Sequence, residues 1–258
     1  MESTKSMEKD DTNIENFPEL WYDIVEENHF WFYWRFKTLL KVIKSIDMNL
    51  FLKNKAFDIG SGNALLINQL EQCSEWVIDG CDINPKFVEE LHIRGKYFKY
   101  DIFEKREELK GKYDCIFLFD ILEHLNEPRA FLEAASYYLK KNGVIFINVP
   151  AFLCLYGKYD KAVGHKMRYN RKSVKGWLTS DTFIVEDFRY WGMLISPLVL
   201  IRKLFTSFST DETKIVTRGM KTPGKIVNNL LKKCADIETF LIPKPPFGCS
   251  LMLTLRKK

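Results

Sequence analysis

Five short apolar runs, separated by stretches of helical periodicity, constrain this chain more than any other feature: AFDIG (56–60), WVIDGCD (76–82), KYFKYD (96–101), YDCIFLFD (113–120) and GVIFINV (143–149). Between them lie segments such as ALLINQLEQ and PRAFLEAASYYLKK, whose apolar residues recur at helical spacing. Strand-like runs alternating with helices predict βαβ units and a mostly parallel sheet with helices on both faces. Acids stand where these runs end: Asp58, Asp82, Asp101 and Asp120. Open α/β sheets bind ligands at the carboxyl ends of their strands, so four acids in register mark a candidate pocket. Taken singly, each acid is equally readable as a turn residue or helix N-cap.

The first run continues as Asp58-Ile59-Gly60-Ser61-Gly62-Asn63-Ala64 directly into a helix. Glycines at such a turn let the backbone pass close to a ligand, and the helix N-terminus offers N–H donors there. A dinucleotide fingerprint needs a third glycine three residues after the second. Leu65 occupies that place, which counts against NAD or FAD. Asp82 lies twenty residues beyond Gly62, where an acidic side chain can accept hydrogen bonds from ribose hydroxyls.

In this order, DIGSGNA, CDIN, YDIFE, FDILEHL and GVIFINVP resemble the successive strand-end motifs of class I S-adenosylmethionine-dependent methyltransferases, especially the ubiquinone-biosynthesis type. The family pattern D-x-G-x-G-x-G accepts alanine at its last position, where Ala64 stands. The resemblance covers residues 55 to 150 well and the flanks more loosely. It implies a doubly wound, seven-stranded Rossmann-like sheet that binds S-adenosyl-L-methionine and releases S-adenosyl-L-homocysteine. Gly60, Ser61 and Gly62 would line the methionyl part, with Asp58 near its amino group. Asp82 and the adjoining Ile83 would hold the ribose, Asp101 and Ile102 the adenine, and Phe119 and Asp120 the floor of the site. His124 is the runner-up to His165 as a catalytic base, but its position resembles a common cofactor-side contact.

Ahead of the first strand, residues 29–36 (HFWFYWRF) carry six aromatics in eight positions. On a helix these would wrap all sides, so the segment must be buried on more than one face. Relatives place an aromatic helix with an arginine over the cofactor, and by that resemblance Arg35 pairs with the methionyl carboxylate. After the fifth strand, residues 158–175 hold seven Lys/Arg and one Asp, including GHKMRYN (164–170). Some family members carry H-D-x-x-x-G-H-x-R-R-Y here. Tyr159 and Met167 depart from that pattern, while Asp160, Gly164, His165, Arg168 and Tyr169 keep it. Methyl transfer to a hydroxyl benefits from a base, and histidine titrates near neutrality. His165 is the candidate base, Asp160 its orienting carboxylate, Arg168 a contact for an anionic acceptor, and Tyr169 a further catalytic candidate. The opposing reading ties His165 and Arg168 to backbone carbonyls as braces.

At 258 residues and 46% apolar content the chain fits one α/β domain, 18–258, behind a disordered tail, 1–17. Within it, 18–50 reads as a helical cap of two helices, and 151–180 and 191–240 as a substrate-side insertion and lid. STDETKIVTRGMKTPG, between two helical stretches of that lid, reads as a loop. Six separated cysteines without a C-x-x-C pair predict reduced thiols, no metal centre and a cytoplasmic location. The polar start lacks the apolar stretch of a signal peptide. WGMLISPLVLI (191–201) is about half the length of a spanning helix; the longer WGMLISPLVLIRKLF (191–205) predicts core packing in preference to a lid over a hydrophobic substrate or contact with a membrane surface. The expected activity is O-methylation of an anionic or partly hydrophobic small molecule. Its rivals are a non-catalytic S-adenosylmethionine-binding sensor or partner subunit, and a nucleic-acid methyltransferase. FDIL stands where base-amine methyltransferases commonly carry N/D-P-P-Y/F, so no nucleic-acid partner is expected.

Overall fold

A computed structural model describes residues 28–83, 91–176, 178, 182–208 and 211–258. The expected tail and residues 18–27 of the cap lie outside the described residues. β1 (Lys55–Ile59) pairs in parallel with β2 (Val77–Asp82) and with β4 (Tyr113–Phe119). β2 continues to β3 (Tyr97–Lys99), and β4 to β5 (Leu139–Pro150). The last strand, β7 (Ser250–Lys257), inserts antiparallel between β5 and β6 (Phe183–Trp191). The sheet order is therefore β3-β2-β1-β4-β5-β7-β6. The chain steps outward from β1 in one direction and then returns to build in the other. The reversal opens a crevice at the carboxyl ends of β1 and β4.

Strand residues alternate between the two faces, which is why Ile116 and Leu118 join one core with Phe57, Tyr138 and Ile145, while Phe117 joins the other with Trp34, Trp76 and Phe146. Helix α1 (Phe30–Ser45) covers the second face. Its N-cap is His29, whose imidazole accepts from the Trp31 N–H at 3.1 Å. Phe32, Trp34 and Arg35 are buried, and Trp31 lies 4.7 Å from the Trp191 ring. The aromatic octet is thus gripped from several sides. Helix α2 (Leu65–Glu71) follows β1, and α3 (Pro128–Tyr138) precedes β5. Leu139, Lys140 and Lys141, read from the sequence as the end of that helix, instead begin β5, with Leu139 paired to Tyr113.

The insertion after β5 folds into α4 (Lys158–Ala162) and α5 (Arg171–Lys175). Between β6 and β7 come α6 (Ser196–Ser207), α7 (Glu212–Met220) and α8 (Lys225–Leu241). The loop expected between the outer two of these is corrected to a helix. Asp211 caps α7 by accepting from the Lys214 N–H at 3.1 Å, and Ile215 and Val216 pack with Phe32, Leu65 and Tyr159. Tertiary burial of two β-branched residues outweighs their weak helix propensity. Among the described residues no helix is long and apolar enough to cross a membrane.

Candidate active site

The strand ends, α1 and the inserted helices enclose one cavity of about 1120 Å³. Its floor is the turn after β1, where Gly60 (φ +71°), Gly62 (φ +52°) and Ala64 (φ +58°) are all left-handed. Glycine suits position 60 because φ +71° strains any L-residue and an added Cβ would sit 2.6 Å from Ile121 Cδ1, which would have to move. Ala64 accepts that strain at the position where the family pattern carries its third glycine. The Gly60 and Ser61 N–H groups both donate to the Cys81 carbonyl, at 2.7 and 3.0 Å, which fastens the turn to β2. The Gly62 N–H donates to Asp82 Oδ2 at 3.1 Å. The acid at the end of β2 therefore shapes the glycine turn as well as facing the cavity.

Every residue that the sequence assigned to the cofactor lines this cavity: Arg35, Asp58, Gly60, Ser61, Gly62, Asp82, Ile83, Asp101, Ile102, Phe119, Asp120 and His124. Asp101 also caps a short 3-10 turn, Ile102–Glu104, accepting from the Phe103 N–H at 3.0 Å. Asp58 is buried, which pushes its carboxyl up from 3.8 to about 7; Arg35 opposes the rise and Asp82 adds to it. Arg35 is paired with Asp120, Nη1 to Oδ2 at 2.6 Å, and lies over the rings of Phe32 and Phe119. The sequence offered a ligand carboxylate as its partner; the fold supplies a protein carboxylate.

Asp120 is held in a left-handed conformation (φ +57°) by that pair, by Asn148 Nδ2 donating to Oδ1 at 2.6 Å, and by its own N–H to the Asn148 carbonyl. Asn148 also accepts from Trp191 Nε1 at 2.9 Å. Sequence reading missed Asn148, yet its signal is present: a fully buried polar residue inside GVIFINV requires partners.

The insertion brings a second group of residues to the cavity. His165 Nδ1 lies 2.9 Å from Asp160 Oδ1, and its Nε2 lies 3.8 Å from Glu123 Oε1. Burial works to raise the Asp160 carboxyl, but its hydrogen bond with His165 and the charge of Arg168 bring it down to about 2. At neutral pH Asp160 is therefore an acceptor, and His165 Nδ1 is placed to donate to it. Asp160 sits behind His165 rather than on the cavity wall, and accepts from Arg168 Nε at 2.8 Å and the Gly157 N–H at 2.9 Å. Arg168 reaches the cavity but also donates to the Ala151 carbonyl at 3.2 Å. Tyr169 does not line the cavity: its hydroxyl donates to the Leu122 carbonyl at 2.9 Å, bracing the insertion against the turn after β4.

Glu123 was also missed. It is 1% exposed, and burial, then the neighbouring Asp120, push its carboxyl well above the usual range. Its approach to His165 depends on a contact across 42 positions of sequence, which no local pattern encodes. His124 packs edge-on to His165 with ring centres 4.9 Å apart, and burial, then His165, hold it neutral at about 3. Glu123, His124 and His165 present donor atoms within 4.8 Å of one another, a set able to take a divalent ion, although the sequence reading named no metal. Arg168, Arg202, Arg218 and Lys221 also line the cavity, so it holds basic residues of the inserted segments as well as the strand-end acids.

An acid-lined crevice at the switch point of this sheet defines a methyltransferase-like α/β fold. The family model described as "Methyltransferase domain" matches residues 31–194, and the chain belongs to that family. Among characterised relatives, the ubiquinone biosynthesis O-methyltransferase of Pelagibacter ubique (strain HTCC1062) is 32% identical over 117 residues, covering 43% of this chain and 48% of that one. The chain thus matches about half the length of such relatives. Solved structures share the fold at low identity. The plantazolicin methyltransferase BpumL in complex with SAH superposes with a TM-score of 0.55 at 17% identity, covering 92% of this chain and 87% of its own. The Burkholderia thailandensis 1,6-didemethyltoxoflavin-N1-methyltransferase, with its substrate and S-adenosylhomocysteine bound, gives 0.51 at 12%, covering 93% and 81%.

Proposed function

We propose that this protein transfers the methyl group of S-adenosylmethionine to a hydroxyl of an anionic, partly apolar small molecule, with His165 as the general base. The observation that carries the proposal is the Asp160–His165 pair, whose histidine lines the same cavity as the strand-end acids. The residues present fit the cofactor. Asp58, Asp82 and Asp101 offer carboxylates to an ammonium, to ribose hydroxyls and to an amine, while Ile83, Ile102 and Phe103 offer apolar contact to a ring. When bound, the cofactor supplies an electrophilic methyl carbon. A cavity of about 1120 Å³ exceeds the common range of roughly 300–1,000 Å³ for a single ligand, leaving room for an acceptor beside it.

The protein's part is positioning and proton removal. Asp160 keeps the His165 proton on Nδ1, so Nε2 can accept the hydroxyl proton of an acceptor. Arg202 and Arg218 face the acceptor end, where they favour a carboxylate or phosphate. Arg202 lies over the Tyr159 ring and donates to the Gly219 carbonyl at 3.2 Å, which fixes its charge in place. Similarity of this chain to about half the length of an O-methyltransferase supports oxygen as the methylated atom.

The test is His165→Gln. Turnover on an accepted substrate should fall by about 10²–10⁴ while cofactor affinity stays within twofold. A parallel loss of both would return His165 to a bracing role.

A further inference from the structure

The inserted helices present their large apolar residues outward. Along α6 and its two flanks, Leu194, Leu198, Ile201, Phe205 and Phe208 recur at alternating spacings of four and three, so they form one stripe. That stripe is solvent-facing: Phe205 is 75% and Phe208 87% exposed, while the side turned to the protein carries Ser196, Val199 and Thr206. An ordinary surface helix is arranged the other way round. On α8, Ile226, Leu230, Ile237 and Leu241 repeat the pattern, with Ile226 86% exposed. Scattered exposed apolar residues need no explanation, but two helices of one insertion with apolar outer stripes do, and they meet where Glu238 of α8 accepts from the Gly192 and Leu194 N–H groups ahead of α6.

Charge identifies what covers them. Residues 191–249 hold nine Lys/Arg and four Asp/Glu, and the rest of the chain holds 30 of each, so the whole net charge of +5 resides in this segment. Its acids are largely engaged: Glu238 accepts from the Gly192 and Leu194 N–H groups, Asp236 pairs with Lys37, and Asp211 pairs with Lys214. Arg218, Lys221, Lys225 and Lys233 remain exposed. A second copy of the chain would bring like charge to this face. A bilayer bearing anionic headgroups presents the opposite charge together with an apolar interior.

We propose that α6 and α8 seat the protein on an anionic lipid surface, with the outer stripes entering the headgroup–acyl boundary and the lysines meeting phosphate. Core packing holds for the inner side of residues 191–205, where Trp191, Ile195 and Val199 are buried, and the lipid surface would take the outer side. Leu198, Val199 and Arg202 of α6, Lys221 beside α7, and Leu231 of α8 also wall the acceptor end of the cavity, so a docked protein would hold that end against the lipid. The docking proposal stands apart from the methyl-transfer reading, and its test needs no activity.

The full chain is floated with vesicles of phosphatidylcholine alone or with about one third phosphatidylglycerol. Binding is expected to the anionic vesicles, to weaken at 0.5 M salt as surface charges are screened, and to fall at least tenfold in a Phe205→Ser/Phe208→Ser variant. A Lys225→Glu/Lys233→Glu variant, which leaves the apolar stripes intact, should lose most of its preference for anionic vesicles. Circular dichroism melts confirm that each variant is folded. Absence of flotation, or flotation that neither variant changes, overturns the proposal. So does a lipid-free dimer that the phenylalanine variant dissociates, since a second copy would then cover the face.

Discussion

Burial of Asp58 couples cofactor binding to pH. In the free protein its carboxyl titrates at about 7, chiefly because it is buried. A ligand ammonium beside it favours the ionised form, so binding selects the fraction that has lost its proton. That fraction is roughly one in eleven at pH 6.0 and three in four at pH 7.5, so the dissociation constant should fall about eightfold across this interval. A ligand α-amino group titrating near 8 stays largely protonated throughout. Because the folded carboxyl titrates above its unfolded value, its contribution to stability is full below about pH 4 and is lost as the pH rises through about 7. The gap corresponds to about 4 kcal/mol in the free protein. Asp58→Asn should therefore raise the Tm of the free protein at pH 7.5, weaken cofactor binding and flatten its pH dependence. Calorimetric titration with S-adenosylmethionine at pH 6.0, 6.75 and 7.5, with thermal melts of both proteins, measures all three. A flat wild-type profile, or an equal slope in Asp58→Asn, refutes the reasoning.

Gly60→Ala adds a methyl group at φ +71° and 2.6 Å from Ile121 Cδ1, and should cost about 2 kcal/mol, lowering the Tm by several degrees and weakening the cofactor; an unchanged melt would show that the turn can relax. Asp82→Ala removes the acceptor of the Gly62 N–H along with the expected ribose contact. Affinity should drop at least a hundredfold by calorimetry, whereas retained micromolar binding would relocate the ribose.

How much of this protein its sequence encodes depends on the range of the interaction. The strands, the glycine turn and the acids at the ends of β1, β2 and β4 are legible because each is a local pattern. Apolar runs specify strands buried on both faces, and a left-handed turn requires glycine or tolerates alanine within a few residues. The aromatic octet likewise announces burial on several sides, because no amphipathic face can be drawn through it.

Other features required the tertiary structure. Arg35 meets Asp120 across 85 positions, and Asn148 meets Asp120 across 28, so neither partner can be read from a window of helical or strand length. Glu123 reaches His165 only because the insertion folds back over the turn after β4, where the Lys166 N–H donates to the Glu123 carbonyl at 2.7 Å and the Tyr169 hydroxyl to that of Leu122. The polar stretch after Asp211 becomes a helix because Ile215 and Val216 find Tyr159 and Phe32 to cover them. Composition likewise fixes that 191–208 is apolar, but not which side of it faces water. The local sequence determines backbone period, caps and turns, since these depend on neighbours along the chain. The pairing of charges and the choice of buried face are decided when distant segments compete for the same surface.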